Sequence, residues 1–176
     1  ASATKHGVAI CNTPGVLNAA VADLTMVIII SLARRLFEFE AYSRSGAWGR
    51  RETSPPLGHD IKGKTLGVVG FGRIGQEVAR RMQNLGMRVI WYDVFNTAPP
   101  SAPKAMYRSL DDLMSESDFI TIHTNLTTES QHLIGAHELS LMRPDAYIVN
   151  TARGPVIDQA ALVQVLQSGA IAGAGL

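Results

Sequence analysis

Three short stretches of this chain carry residue types that chemistry could use. The first is Gly70-Phe71-Gly72-Arg73-Ile74-Gly75, a G-x-G-x-x-G run. In that pattern the first glycine permits a tight turn and the second lets backbone approach a pyrophosphate. The third lets a helix pack closely on a strand. The N–H groups of Arg73 and Ile74 would then face phosphate oxygens, helped by the helix dipole. The second stretch is Asp93, about two dozen residues later. An acid there accepts hydrogen bonds from ribose hydroxyls and repels a 2′-phosphate. No Arg or Lys follows it in VFNTAPP, so the cofactor favoured is NAD rather than NADP. The third is Asn150-Thr151-Ala152-Arg153-Gly154. A guanidinium such as that of Arg153 can clamp a carboxylate bidentately and polarise a neighbouring carbonyl. A 2-oxo acid carries both groups side by side.

Such residues act only if secondary structure brings them to one place. The hexapeptide is weak by itself and gains force from its setting between a strand and a helix. TLGVVG (65–70) is a β-branched run that reads as a strand. Arg73 to Leu85 reads as an amphipathic helix, with Ile74, Val78, Ala79 and Met82 on one face. MRVIWYD (87–93) is a second strand, and 94–104, with three prolines, a loop. Tyr107 falls on a short third strand. Ser109 is placed to cap a helix over Leu110–Met114, with Asp111 and Asp112 in its first turn. Phe119–His123 and Ala146–Thr151 are the fourth and fifth strands. Gln159–Gln167 is a helix that stops at Gly169, and Ile171 opens a sixth strand. Strands alternating with helices predict an α/β fold, a doubly wound parallel sheet of the Rossmann dinucleotide-binding type. Ligands of such sheets bind at the carboxyl ends of the strands. His123 ends the fourth strand and the NTARG block ends the fifth, so both project toward the crevice of the glycine turn. His6, His59, His132 and His137 fall in loops or at helix edges and receive no role.

The first sixty residues read differently. GVAIC (7–11) resembles a short buried strand, with Cys11 as a small apolar residue on it. Asn12-Thr13-Pro14-Gly15 then turns the chain. From Val16 to about Ser43 the pattern is helical throughout, and Met26–Ile30 is apolar on nearly every side. Such a helix is buried in its own domain or against a second subunit. Residues 44–63, with Pro55-Pro56, form a connecting loop.

Composition removes several function classes. The 176 residues are 46% hydrophobic, enough for one domain with a sizeable core. A net charge of +1 gives no field to attract nucleic acid or an acidic membrane. The most apolar run, LTMVIIISLA (24–33), is too short to span a bilayer. No apolar leader follows a basic start at the N-terminus. A single cysteine excludes an intrachain disulfide and is consistent with a cytoplasmic location. No metal-ligand spacing is recognised.

Longer blocks carry a resemblance. GKTLGVVGFGRIGQEVARRMQNLGMRVIWYD, DFITIHTNLTTESQHLIG and MRPDAYIVNTARGPVIDQAALVQVLQSGAIAGAGL resemble successive signatures of the D-2-hydroxyacid dehydrogenase family. NTPGVLNAAVADLT (12–25) resembles that family's crossover into its dinucleotide domain. The resemblance implies NAD-dependent hydride transfer between the cofactor and a small D-2-hydroxy or 2-oxo acid. It implies that Gly70, Gly72, Arg73, Ile74, Gly75 and Asp93 contact NAD, and that His123, Thr124, Thr151, Ala152 and Arg153 line the cofactor crevice. Arg153 would be the catalytic arginine. It implies a homodimer formed through the helix 16–43. By the same resemblance, residues 1–15 belong to a split substrate domain and its crossover. Residues 16–176 are an NAD-binding domain incomplete at its C-terminus, and the family's catalytic Glu and His are expected downstream. The chain would then bind NAD without completing the reaction. One departure is visible: the family usually has H-x-P-L-T after the fourth strand, and here it is His123-Thr124-Asn125-Leu126-Thr127. The alternative to an enzyme is a dinucleotide-sensing scaffold like the family's corepressors, which would keep the glycine turn and Asp93. A Rossmann domain for S-adenosylmethionine would leave the NTARG block unexplained.

Overall fold

The computed structural model describes residues 2–50, 54–95 and 104–176. In chain order the first half holds helices α1 (Ser2–Lys5), α2 (Asn18–Ala33), α3 (Leu36–Arg44) and α4 (Ala47–Arg50), strand β1 (Thr65–Val69) and helix α5 (Arg73–Asn84). The second half runs β2 (Arg88–Tyr92), β3 (Met106–Tyr107), α6 (Leu110–Glu116), β4 (Phe119–Ile122), α7 (Ala136–Leu141), β5 (Tyr147–Asn150), α8 (Gln159–Gln167) and β6 (Gly173–Gly175). A 3₁₀ turn, Gly154–Val156, leads into α8.

The six strands form one sheet in the order β3-β2-β1-β4-β5-β6, and every neighbouring pair is parallel. The order reverses at β1, between β2 and β4, which makes that point the binding crevice of an open α/β sheet. Period-two alternation splits each strand between two cores. Leu66, Val68, Phe119 and Val149 pack with Ala22 and Ile29 of α2 and with Val78, Ala79 and Met82 of α5. Val69, Ile120, Ile122 and Ile148 pack with Leu113 and Met114 of α6, Leu139 of α7 and Leu162 of α8. Burying each such large side chain contributes about 1.5–3 kcal/mol.

Local chemistry sets the helix ends. Ser109 Oγ accepts from Asp112 N at 3.2 Å and starts α6. Asp158 Oδ1 accepts from Ala160 N (2.9 Å) and Ala161 N (3.2 Å) and starts α8. Asp118 is nearly buried between strands: its Oδ2 accepts from Thr65 N at 2.8 Å and its Oδ1 from Lys64 Nζ at 3.2 Å.

Two expectations for the first half are corrected. Residues 7–11 form no strand; Val8, Ile10 and Cys11 are exposed. Among the described residues no strand lies beside them, and β-branched residues without a partner do not make a sheet. The long helix is broken. α2 stops at Ala33, Arg35 adopts a left-handed φ of 50°, and α3 starts anew. Nothing in local propensity stops the helix there. Its end is taken by the loop that crosses it: His59 N donates to Ala33 O at 2.7 Å, and Arg34 pairs with Asp60 at 2.7 Å. Residues 44–63 are not all loop, since α4 lies within them. Helix α7 also goes beyond the sequence expectation. Most of the expected loop 94–104 lies outside the described residues.

Candidate functional site

The glycine run joins β1 to α5 at the centre of the sheet. Gly70 has a φ of +91°, and a Cβ there would meet His123 C and Thr124 N, both at 2.7 Å. Gly75 is tighter: a Cβ would meet Gly70 O at 2.2 Å. A side chain at either position would break the turn or push β4 away. Gly72 is different. It is exposed, its φ is −75°, and an added Cβ would meet nothing within 4 Å. No side chain caps the start of α5. A turn with an open floor and a helix N-terminus aimed at it fits a diphosphate.

Three contacts stiffen this cradle. Phe71 N donates to Asp93 Oδ2 at 2.9 Å. Buried Gln76 donates through Nε2 to Phe71 O at 2.8 Å. The Phe71 ring stacks on Trp91, with centroids 4.7 Å apart. Asp93 also accepts from Phe95 N at 3.1 Å through Oδ1. The carboxylate is half-buried at the end of β2, on the opposite side of the cradle from β4 and β5.

On that other side a cavity of about 420 Å³ opens between α5, α2 and the ends of β4 and β5. Ile74, His123, Thr124, Thr151, Ala152 and Arg153 line it, together with Leu17 and Val21 at the start of α2. Six residues singled out from sequence therefore share one wall. His123 Nε2 shares a hydrogen bond of 2.9 Å with buried Thr121 Oγ1. Burial lowers the pKa of His123 from 6.5 to about 4, so the ring is neutral at pH 7. Arg153 is exposed and donates from Nη1 to Ala152 O at 2.7 Å. Among the described residues no carboxylate pairs with it. An anion with two oxygens suits that fork.

The family model for the NAD-binding domain of D-isomer-specific 2-hydroxyacid dehydrogenases matches residues 26–176. The chain belongs to this family. It is 48% identical to a glyoxylate reductase of Thermococcus litoralis (strain ATCC 51850 / DSM 5473 / JCM 8560 / NS-C), covering 99% of this chain and 54% of the relative. The structure of a glyoxylate reductase from Paecilomyes thermophila is 41% identical with a TM-score of 0.89, covering 99% of this chain and 52% of that one. A D-lactate dehydrogenase from Aquifex aeolicus, complexed with NAD and lactic acid, is 34% identical with a TM-score of 0.88. That match covers 99% of this chain and 52% of the other. The chain thus spans about half the length of the relatives it matches.

As a 2-hydroxyacid dehydrogenase NAD-binding domain, the chain shows how supporting residues hold the site. Asn150 spans the turn after β5: its Nδ2 donates to Arg153 O (3.0 Å) and its Oδ1 accepts from Ala152 N (2.9 Å). Thr25, fully buried on α2, reaches Thr151, with the two Oγ1 atoms 2.9 Å apart. Sequence reasoning assigned nothing to Thr25, Gln76 or to Asn150 by itself. The available signals were a lone hydroxyl in LTMVIII and a glutamine on the apolar side of α5. Where the family usually has proline, Asn125 offers its carbonyl to Ser130 Oγ at 2.6 Å, and Ser130 Oγ also accepts from Thr127 N at 2.8 Å. That serine ties the loop after β4. Of the other histidines, His137 lies on α7 beside Asp111 and Glu138. That cluster is at the surface, and Glu138 already accepts from Gly135 N at 2.8 Å.

Proposed function

We propose that this chain is the cofactor half of an NAD-dependent oxidoreductase acting on small D-2-hydroxy acids and the corresponding 2-oxo acids, with glyoxylate a leading candidate. The observation that carries the reading is the shared crevice. An open-floored glycine turn, a carboxylate on its β2 side and an unpaired guanidinium on its β5 side lie along one sheet edge. Gly70, Gly72, Arg73, Ile74 and Gly75 hold the diphosphate. Asp93 takes the adenosine ribose, and the end of β4 and β5 takes the nicotinamide half. When bound, NAD supplies the hydride chemistry. His123, Thr124, Thr151 and Ala152 wall the reacting end. Arg153 clamps the acid's carboxylate and polarises its 2-oxo group. A neutral His123, tied to Thr121, is a wall residue and not the proton donor. Among the described residues no histidine backed by a carboxylate lines this cavity. No recruitment motif supports the corepressor-type scaffold.

Residues 16–176 form the dinucleotide domain and residues 1–15 the crossover from the substrate domain, a division supported by the exposure of Val8 and Ile10. A second copy pairs through residues 16–43. The chain works in the cytoplasm, a reading supported by its single exposed cysteine. Among the described residues no helix is long and apolar enough to cross a membrane.

Calorimetry tests the reading. NAD+ and NADH are expected to bind the chain one to one, and NADP+ more weakly. Glyoxylate added to the NADH complex is expected to bind without oxidising it, and Arg153→Gln to abolish that second event alone. A folded chain that gives no heat with either NAD+ or NADH overturns the reading.

A further inference from the structure

Thr25 sits far from the glycine turn in sequence and makes no use of solvent: its side chain is fully buried on α2. A buried hydroxyl has one hydrogen to give and lone pairs to receive. Thr25 Oγ1 donates that hydrogen to Val21 O, one turn back, at 2.8 Å. Its other contact is Thr151 Oγ1 at 2.9 Å. Since the hydrogen of Thr25 is already spent on a carbonyl, which can only accept, the hydrogen between the two threonines belongs to Thr151. The chain of bonds therefore has one direction: Thr151 O–H to Thr25 O, and Thr25 O–H to Val21 O.

The direction fixes what Thr151 shows to the cavity. Thr151 is half-buried and lines the crevice beside Ala152 and Arg153. With its hydrogen turned inward, only lone pairs of Thr151 remain for a ligand. We infer that Thr25 is a positioning residue that locks Thr151 as an obligate acceptor for an N–H donor at the nicotinamide end of the crevice. Within the cofactor reading given above, on which this inference rests, the donor is the primary carboxamide of the nicotinamide ring. The ring face presented to substrate then depends on a hydroxyl of α2, a helix outside the sheet. Without Thr25 the Thr151 hydroxyl is free to turn its lone pairs away from the crevice, and the amide loses its fixed acceptor.

The test compares three ligands on the whole chain by calorimetry. NAD+ carries the carboxamide. ADP-ribose lacks the nicotinamide, and 3-acetylpyridine adenine dinucleotide has a methyl ketone with no N–H to give. Thr25→Val keeps the shape and removes the hydroxyl. It is expected to weaken NAD+ by about three- to tenfold, the worth of one hydrogen bond, and to leave ADP-ribose and the acetylpyridine analogue unchanged. Thr25→Ser is expected to restore NAD+ binding. Thr151→Val, at a less buried position, is expected to show the same selective loss if Thr25→Val does not fold. Equal weakening of all three ligands would mean a packing defect and overturn the inference, as would unchanged NAD+ affinity in both valine variants. Failure of the unaltered chain to bind NAD+ would instead sink the cofactor reading and the inference with it.

Discussion

At the scale of single residues the crevice is built by exclusion as much as by contact. Gly70 and Gly75 are needed because neighbouring backbone occupies the place of their side chains, whereas Gly72 is needed only if something else occupies that place. The distinction gives a clean experiment. Gly72→Val has an allowed φ and its Cβ meets no protein atom within 4 Å, so it is expected to fold with a nearly unchanged melting temperature. NAD+ affinity is expected to fall at least about a hundredfold, since a branched side chain would fill the phosphate floor. Retained affinity would place the diphosphate elsewhere. His123 offers a second residue-level test through linkage. Its folded pKa is about 4 against 6.5 for a free histidine, so the unfolded chain takes up the proton first as pH falls. The contribution of His123 is complete above pH 6.5 and is lost between there and about pH 4. For a half-buried ring the loss amounts to about 1–3 kcal/mol. His123→Gln is expected to flatten that part of the stability curve relative to the unaltered chain, measured by urea unfolding at several pH values. The residues legible in sequence were those tied to a fixed spacing or a strand end: the glycines, Asp93, His123 and Arg153. Thr25 and Gln76 were not, because their partners lie on other elements, and only the fold reveals which buried hydroxyl or amide faces the site.

Among the elements, the regular half of the chain follows from local pattern, apart from the short α7, because the signals there agree. The β-branched runs, the apolar face of α5, the Ser109 cap and the Gly169 stop all match the structure within a residue or two. The first half misleads for a physical reason. Apolar periodicity reports which residues seek burial, not which element covers them. Residues 7–11 carry strand-forming types yet have no neighbouring strand among the described residues. α2 ends at Ala33 because residues 58–60 compete for its last carbonyl and for Arg34. Long-range contacts of that kind leave no mark in a window of ten residues. Asp118 is the clearest case of an element held by one side chain. Its carboxylate binds the first N–H of β1 and the ammonium of Lys64, and it stands at the turn from α6 into β4. Asp118→Ala would leave the buried N–H of Thr65 without its acceptor. The expected loss is about 1–3 kcal/mol of unfolding free energy, with NAD+ affinity unchanged at temperatures where the variant is folded. A loss of affinity equal to the loss of stability would mean that the base of the sheet communicates with the crevice.

At the scale of the whole molecule the two faces of α2 have different fates. One face buries Ala22, Thr25 and Ile29 on α5, β5 and β6, and so carries the hydroxyl that reaches Thr151. The other leaves Leu24 and Val27 more than half exposed, one turn apart on the same side of the helix. Val16, Leu17, Leu36 and Phe37 extend the exposed apolar surface toward both ends, with Phe37 75% exposed. Large apolar side chains left exposed in this number point to an interaction site in a folded chain. A face continuous with the helix that supports the crevice suits a second copy, because pairing there would also restrain Leu17 and Val21 at the cavity mouth. The expected outcome is a dimer by sedimentation for the unaltered chain. Val27→Glu and Phe37→Glu are expected to give monomers that remain folded, since both side chains lie outside the two cores. Their NAD+ affinity is expected to fall only severalfold, because pairing on this face would steady the start of α2 without supplying a cradle residue. An unaltered chain that sediments as a monomer at every concentration tested would assign this face to some other segment or partner. In that case the two substitutions should leave both mass and affinity as they were.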